Sequence, residues 1–145
     1  MEANTLIVLV ERGGPVQLSF FAVPTLGRVR EPDIVEENGV RIAHLLDLAG
    51  TKAAVVQRRA EAKDYLDMDA LSTLGGVSLP QSLSAAGALY GSSYNPQLTL
   101  KALAFFDEGN LSGVPLAVRE RLLRAVKAVD LDALPPLDPI APRET

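Results

Sequence analysis

The sequence predicts an α+β fold with a small N-terminal β-sheet followed by a bundle of about five helices. Before residue 21, two short apolar segments flank the residues Arg12-Gly13-Gly14-Pro15, which is typical of a β-hairpin. From residue 45 to residue 129, apolar residues recur at the three- and four-residue spacing of helices. Strands first and helices after them is the order of an α+β protein.

The strands are expected at the N-terminus. Residues 6–10 form a continuous apolar run, whereas Val16, Leu18 and Phe20 alternate with polar residues. The two glycines between them allow the positive φ angles that a tight turn needs. The continuous run predicts a first strand covered on both faces, and the alternation a second strand covered on one. Residues 23–39 are expected to form a loop, and residues 40–44 one more short strand or extended segment.

Five helices are expected after the strands. The first spans residues 45–59, and the second spans 62–74 and ends at Gly75-Gly76. Ser78 is expected to cap a third helix that reaches about residue 90. Asn95 and Pro96 are the N-cap and first residue of a fourth helix. The last amphipathic helix covers residues 118–129.

The expected domain organisation is one α+β domain over residues 1–129, with strands and loop in 1–44 and helices in 45–129. Residues 130–145 contain Pro135, Pro136, Pro139 and Pro142, so this tail is expected to be extended or disordered. Two or three strands make a thin sheet that is marginal as an independent unit. We therefore expect the sheet to belong to a larger one, or to be completed by an oligomer.

Composition excludes several classes of function. A net charge of −4 argues against non-specific nucleic-acid binding by long-range attraction, although a local basic patch stays open. The absence of cysteine excludes disulfides, thiolate zinc sites and a cysteine nucleophile. A single histidine, His44, argues against a multi-histidine metal site. With no signal peptide and no long apolar run, the expected location is the cytoplasm, without a membrane partner.

Four charged residues lie where the helical periodicity expects apolar ones. Lys52 falls inside the apolar arc of the first helix, and Arg59 follows it by seven residues on the same face. Asp64 and Asp67 begin the stripe of the second helix, which Leu71 continues. The opposite side of the first helix, with Asp47, Thr51 and Arg58, is expected to face solvent.

These charges have two interpretations. Unpaired charges are costly to bury, so they persist inside a protein only when they are paired. The first interpretation is a structural ion network that holds two helices together. The second is a cleft that binds a charged ligand, with the cations on a phosphate and the carboxylates orienting them or accepting a proton.

A family resemblance rests on this region. Asp47-Leu48, Lys52 and Arg58, followed by Lys63-Asp64-Tyr65-Leu66-Asp67, resemble the late signature of AbiEii/AbiGii-type nucleotidyltransferases. Its pattern is D-L-x-x-x-K, an arginine about six residues later, and K-D-aromatic-x-D. These proteins are toxins of bacterial toxin–antitoxin and phage-defence systems. The resemblance covers about residues 5–125 and implies the later half of a nucleotidyltransferase-like domain.

The resemblance implies roles for five residues. Lys52 would contact nucleotide phosphates, together with whichever of Arg58 and Arg59 occupies the family's arginine position. Asp64 would be the catalytic acid, supported by Asp67.

The family also holds two Mg²⁺ ions with a G-S…D-x-D motif near its N-terminus, and this motif is missing from the sequence. Gly91-Ser92-Ser93 is expected to be a turn, and the carboxylates of Asp67 and Asp69 diverge on a helix. We therefore expect the C-terminal portion of such a toxin, which binds no metal and is inactive alone. NTP and Mg²⁺ would act only when the missing half is supplied.

Several alternatives stay open at this stage. The expected partner is an antitoxin, a second chain that supplies the missing motif, or another copy bound through the sheet edge. A non-catalytic interaction domain that completes its sheet in this way is the alternative function. His44 is expected to cap the first helix. A basic strip of Arg119, Arg121, Arg124 and Lys127 is expected to be solvated, with RNA or a protein partner as the alternative.

Overall fold

The computed structural model describes residues 5–23 and 25–141, and within them the predicted α+β architecture is confirmed. Two antiparallel β-hairpins come first and five α-helices follow in the described part of the chain. The elements are β1 (Thr5–Glu11), β2 (Pro15–Phe21), β3 (Asp33–Ile34), β4 (Arg41–Ile42), α1 (Leu45–Val55), α2 (Ala62–Thr73), α3 (Leu79–Tyr90), α4 (Pro96–Leu103) and α5 (Leu116–Ala128).

The first hairpin has the predicted geometry. β1 and β2 pair in register from Thr5 opposite Phe21 to Glu11 opposite Pro15. The turn places Gly13 at φ +70° and Gly14 at φ +145°, a region of backbone space that favours glycine. The predicted β-hairpin at the N-terminus is therefore confirmed.

The predicted covering of this hairpin is wrong. The side chains of Leu9 and Phe21 are 72% and 69% exposed, and every residue of β2 is exposed. A continuous apolar run shows that a strand is suited to burial, but it does not show that the same chain supplies the covering layer. The hairpin thus presents apolar side chains to solvent.

The second hairpin is very short. Asp33 pairs with Ile42 and Ile34 with Arg41, so the predicted strand within residues 40–44 is confirmed. The predicted loop over residues 23–39 is interrupted by β3, because the chain reverses over residues 35–40, where the N–H of Gly39 (φ +69°) donates to the Val35 carbonyl. A two-residue strand is too short to leave a periodic pattern in the sequence.

The predicted helix caps are confirmed. Ser78 and Gln81 form a capping box at α3, and the side chain of Asn95 accepts a hydrogen bond from the backbone N–H of Gln97 at α4. The first helix ends earlier than predicted, at Val55, where the backbone N–H groups of Arg58 and Arg59 both donate to the Val55 carbonyl (2.9 and 3.3 Å). This turn directs the two arginines differently.

The buried face of α1 is rotated from the predicted one. The structure buries the small residues Ala49, Gly50, Ala53 and Ala54 against α3, where they meet Ala85 and Ala86. Leucines cannot occupy this close helix contact, so Leu45 and Leu48 are left 44% and 38% exposed. Lys52 therefore lies at the border of the buried face rather than at its centre.

The hydrophobic core of the described residues lies within the helical part. One cluster joins α1 to α5, with Tyr65, Met68, Leu83, Leu103 and Leu122 among its members. A second cluster lies between Val29, α1 and α3. None of the helices in the described ranges has the length and apolar character needed to cross a membrane.

The Pro-rich segment, which the sequence predicts to be extended or disordered, lies against the helices over residues 130–141. It begins with a 3₁₀ turn at Leu131–Ala133, and Leu131, Leu134 and Leu137 contact the core. The backbone N–H of Ile140 then donates to the carbonyl of Arg28 (2.6 Å). Pro142 lies outside the described residues.

The close contact between α1 and α3 leaves no room for a side chain at Gly50, and a substitution tests this. A Cβ atom at this position would lie 2.9 Å from the Cβ of Ala85, which is too close for an undistorted contact. We expect Gly50→Ala to lower the free energy of unfolding by about 1–3 kcal/mol through overpacking. Urea denaturation followed by circular dichroism measures this change.

Gly87→Ala is the matched control. It lies in the middle of α3, and a Cβ there meets nothing within 4 Å. Because alanine is favoured over glycine inside a helix, this variant should gain about 0.5–1 kcal/mol. Equal stability of the two variants would contradict the close packing of α1 on α3.

Candidate functional site

The candidate site is centred on the Asp64 side chain, which has no solvent exposure. The residue lies in the first turn of α2, directly after the connection from α1. Lys52 Nζ donates to its Oδ1 at 2.9 Å. Arg59 donates from Nε to Oδ2 at 2.8 Å and from Nη2 to Oδ1 at 3.1 Å. One buried carboxylate thus holds two cations from the end of α1 and the turn that follows.

Lys52 has a second carboxylate partner. Asp67 Oδ2 lies 2.6 Å from Lys52 Nζ and belongs to a side chain that is 49% exposed. Asp64 and Asp67 are three residues apart, so they project from the same face of α2. The charges that the helical periodicity leaves unexplained, Lys52, Arg59, Asp64 and Asp67, therefore meet in one ion cluster.

The ion pairs of the cluster stabilise the ionised forms of its side chains. Burial alone would raise the pKa of Asp64, but the hydrogen bonds and charges of Arg59 and Lys52 outweigh it and lower the pKa below the ordinary value. Burial would lower the pKa of Lys52, yet Asp67 and Asp64 outweigh it and raise this pKa. Asp64 likewise raises the pKa of Arg59.

The two arginines differ in their surroundings. Both are exposed, but Arg59 contacts Asp64, whereas the side chain of Arg58 has no polar partner among the described residues. The predicted outward direction of Arg58 matches its exposure. Arg59 reaches Asp64, but it lies beyond the end of α1 and is half exposed, so its predicted inward place on the helix is wrong.

Each cation of the site retains free donors. The Lys52 ammonium has three N–H donors and uses two of them on carboxylates. Arg59 has five and directs two at Asp64. All five donors of Arg58 are free of partners in the described part of the chain. The cluster therefore neutralises Asp64 and still offers donors to an anion.

Two grooves border the cations. The groove beside Lys52 has a volume of about 570 Å³. It is lined by the side chains of Leu45, Leu48, Lys52, Asp67, Leu71 and Leu74. A smaller groove of about 170 Å³ includes Arg58, Arg59, Phe105 and Glu108. The site is thus open to solvent on the sides of both Lys52 and the arginines.

The carboxylates present do not fit Mg²⁺. Both oxygens of Asp64 face cations, and Asp67 binds Lys52. Asp69 instead forms a two-point contact with Arg121 of α5, at 2.8 and 2.7 Å, so Asp67 and Asp69 point to different partners. Across residues 5–23 and 25–141, no group of three or more His, Asp or Glu side chains could hold a metal ion.

Asp47 is buried, so its predicted place on the solvent face of α1 is wrong. Its carboxylate accepts hydrogen bonds from the backbone N–H groups of Val29 (2.7 Å) and Arg30 (3.1 Å). It therefore fixes the preceding loop to α1. The signal for the true buried face is the spacing of the small residues of α1, which are Ala49, Gly50, Ala53 and Ala54. Asp47 lies at the edge of the face that they form, so this spacing would also have predicted its burial.

The other candidate residues have local partners. His44 Nδ1 accepts a hydrogen bond from the Leu46 N–H, so the predicted cap is confirmed. In the basic strip, Arg119 donates to the carbonyls of Val114, Leu111 and Ser112. Arg121 binds Asp69 and is still 42% exposed, and Arg124 and Lys127 are exposed, so the predicted strip faces solvent except at the half-buried Arg119.

The central ion cluster leads to a stability prediction. Asp64→Asn keeps the shape of the side chain but removes the charge that compensates Lys52 and Arg59. We expect the variant to lose about 2–3 kcal/mol of unfolding free energy at neutral pH. Asp67→Asn, at the half-exposed position, should lose at most about 1 kcal/mol. Urea denaturation of both variants tests the contrast, and equal losses would contradict it.

The pH dependence of the unfolding free energy shows whether the charge of Asp64 causes the stability difference between wild type and Asp64→Asn. Because the pKa of Asp64 is lower in the folded state, the unfolded chain binds a proton there at higher pH. The stabilisation is present above the unfolded value of about 4 and disappears as the pH falls through the folded pKa. The difference between wild type and Asp64→Asn should therefore shrink on acidification below about pH 4, whereas a purely steric effect would not change.

Comparisons with known proteins identify the family of the chain. Residues 4–138 match the family model described as nucleotidyl transferase AbiEii toxin, type IV toxin–antitoxin system. Searches of curated proteins and of solved structures found no significant match. The match covers most of the 145 residues and includes the whole ion cluster. The chain belongs to the AbiEii nucleotidyl transferase toxin family.

Proposed function

We propose that this chain is a nucleotidyltransferase-like toxin protein that retains a phosphate-binding wall and does not transfer nucleotides by itself. The wall consists of Lys52, Arg59 and Arg58. The observation that carries the proposal is the arrangement of two cations on one buried carboxylate, with N–H donors left over. Such donors form charge-assisted hydrogen bonds with phosphate oxygens.

Asp64 has the role of a positioning residue in this proposal. Its side chain has no solvent exposure and its oxygens face Lys52 and Arg59, so it acts on a nucleotide through these cations. The catalytic role that the family resemblance implies for Asp64 would require direct contact with the reacting groups. Fixing the cations in advance lowers the entropic cost of binding an anion.

Asp67 is the exposed acid of the cluster. Its carboxylate competes with any incoming phosphate for Lys52, since both are anions and both accept from the same ammonium group. A bound phosphate would therefore take the third donor of Lys52 or displace Asp67 towards solvent. In the absence of a nucleotide, Asp67 thereby occupies a second donor of Lys52, beside the one that Asp64 holds.

Transfer needs groups beyond the described residues. In-line phosphoryl transfer by this family uses Mg²⁺ ions held by clustered carboxylates, and the carboxylates of this site are committed to cations. We propose that a second polypeptide supplies the Mg²⁺-binding acids, so that this chain alone binds NTP only weakly and without Mg²⁺, and the combined protein binds NTP together with Mg²⁺. As a toxin of a toxin–antitoxin system, it would act in the cytoplasm, in phage defence, with an antitoxin as its counterpart.

A second candidate function is supported by the first hairpin. Its exposed apolar side chains favour a non-catalytic interaction domain that is completed by another chain. This function does not depend on nucleotide binding.

The absence of activity is tested directly. The purified chain is incubated with Mg²⁺, labelled NTPs and tRNA or protein acceptors, beside an active nucleotidyltransferase as the positive control. We expect no transfer above the protein-free blank. Robust Mg²⁺-dependent transfer by this chain alone would overturn the proposal that the metal-binding acids are missing.

Phosphate binding is tested separately, without Mg²⁺. Titration calorimetry with each of the four NTPs should show weak binding to the wild-type chain. Arg58→Ala removes a cation with no structural partner and should weaken binding about tenfold, the value of one charge-assisted contact. Arg124→Ala removes an exposed arginine on α5, distant in sequence from the cluster, and should change affinity less than about twofold at equal charge.

The binding experiment has two contrary outcomes. No binding of any NTP to wild type would refute the phosphate-binding wall and leave the cluster as a structural ion network. Equal weakening by Arg58→Ala and Arg124→Ala would show that net charge, rather than this site, attracts the nucleotide.

A further inference from the structure

A further groove, with a volume of about 410 Å³, lies at the N-terminal end of α1. The loop after β2, the first two turns of α1 and one residue of α3 form it. Its apolar lining includes Phe21, Leu26, Leu48 and Leu89. We call it the His44 groove, after the residue that caps α1 and also lines the groove. Small-molecule sites have volumes of about 300–1,000 Å³ and a mostly apolar lining with a few polar groups. The His44 groove has this size and composition, and the cations of the ion cluster do not line it.

Hydrogen bonds of the backbone hold the loop that forms one wall of the His44 groove. The Asp47 carboxylate accepts from the N–H groups of Val29 (2.7 Å) and Arg30 (3.1 Å), which fixes the loop to α1. The same loop pairs with the C-terminal segment, because Ile140 and Arg28 exchange two backbone N–H to carbonyl bonds (2.6 and 3.4 Å). A ligand would therefore enter a site that is already formed, which lowers the entropic cost of binding.

The free polar groups that line the His44 groove are mainly hydrogen-bond donors. Arg30 is exposed and donates from Nη1 to the Val29 carbonyl (2.8 Å), so four of its five N–H donors have no partner among the described residues. His44 Nδ1 accepts from the Leu46 N–H, so the neutral imidazole carries its hydrogen on Nε2. Asp47, the one carboxylate of the described lining, already accepts two backbone N–H groups. The groove therefore favours a ligand that brings acceptor oxygens.

One buried donor of the groove lining has no acceptor. Arg28 donates from Nη2 to Glu31 (3.0 Å), but its Nε–H is buried and has no hydrogen-bond partner within residues 5–23 and 25–141. A buried donor without an acceptor costs about 1–3 kcal/mol, and the large majority of buried polar groups in proteins have a partner. The unpaired Nε–H of Arg28 therefore indicates an acceptor that the described part of the chain does not provide.

We propose that the His44 groove binds a small carboxylic acid with an apolar body. The carboxylate would accept hydrogen bonds from Arg30 and from the Nε–H of Arg28, while the body lies against the apolar lining. A carboxylate suits this groove better than a doubly charged phosphate. The reason is that Arg28 is already paired with Glu31, which leaves Arg30 as the cation of the described lining without a carboxylate partner. The proposal does not depend on the phosphate-binding wall.

NMR titration of the isotope-labelled chain with phenylbutyrate tests the site. We expect saturable shifts of the Nε–H signals of Arg28 and Arg30, with a dissociation constant on the order of 1 mM for a ligand of this size. Phenylbutanol keeps the apolar body but lacks the charge, so it should bind about tenfold more weakly. The Nε–H signal of Arg58, which lines a different groove, is the internal control and should not shift.

Two variants distinguish the groove from a general attraction of anions to the protein. Arg30→Gln removes the free cation and should weaken phenylbutyrate binding about tenfold. Arg41→Gln removes an exposed arginine of β4 that does not line the groove, and it should change the affinity less than about twofold. The absence of saturable shifts at Arg28 and Arg30 in wild type would overturn the proposal. Equal binding of the acid and the alcohol, or equal weakening by the two variants, would also overturn it.

Discussion

The buried carboxylate of Asp64 is the constraint on which the rest of the site depends. It has no solvent exposure, and its stability in the charged form requires Lys52 and Arg59 to stay within hydrogen-bond distance. These contacts join the last turn of α1, the connection after it and the first turn of α2. The direction of the chain between the two helices therefore follows from the electrostatics of one side chain. The resulting geometry also keeps Lys52 at the edge of one open groove and Arg59 at the edge of another.

The packing of α1 against α3 determines the position of Lys52 in the ion cluster. The small residues of this helix turn towards α3, and this orientation places Lys52 at the border of the core, where its stem is buried and its ammonium reaches Asp64 and Asp67. The same rotation exposes Leu45 and Leu48 beside Lys52. The two interpretations of the charges are thus compatible, because a structural ion network can also hold cations ready for a phosphate. The ion network is observed in the structure, whereas the binding of phosphate to its cations is proposed.

The local signals in the sequence were sufficient for most of the fold. The Gly13-Gly14 turn, the Ser78 cap and the Asn95-Pro96 helix start each depend on neighbouring residues, so they could be predicted. The buried side of α1 could not, because it depends on how closely α3 approaches, and hydrophobicity alone favours the leucines over the alanines. The burial of Asp47 was missed for the same reason. Periodicity did reveal the charge cluster, since a lysine and two aspartates interrupt apolar stripes, but it could not distinguish a network from a ligand site.

The central claim is that Asp64 is a buried anion held by Lys52 and Arg59. The most direct measurement is an NMR titration of the carboxyl carbon of Asp64 in the folded protein, assigned by comparison with Asp64→Asn. The titration midpoint should lie below the ordinary aspartate value of about 3.9, because the two cations favour the charged form more than burial disfavours it. A midpoint at or above the ordinary value would contradict the claim, since it would show that the cations do not hold this carboxylate.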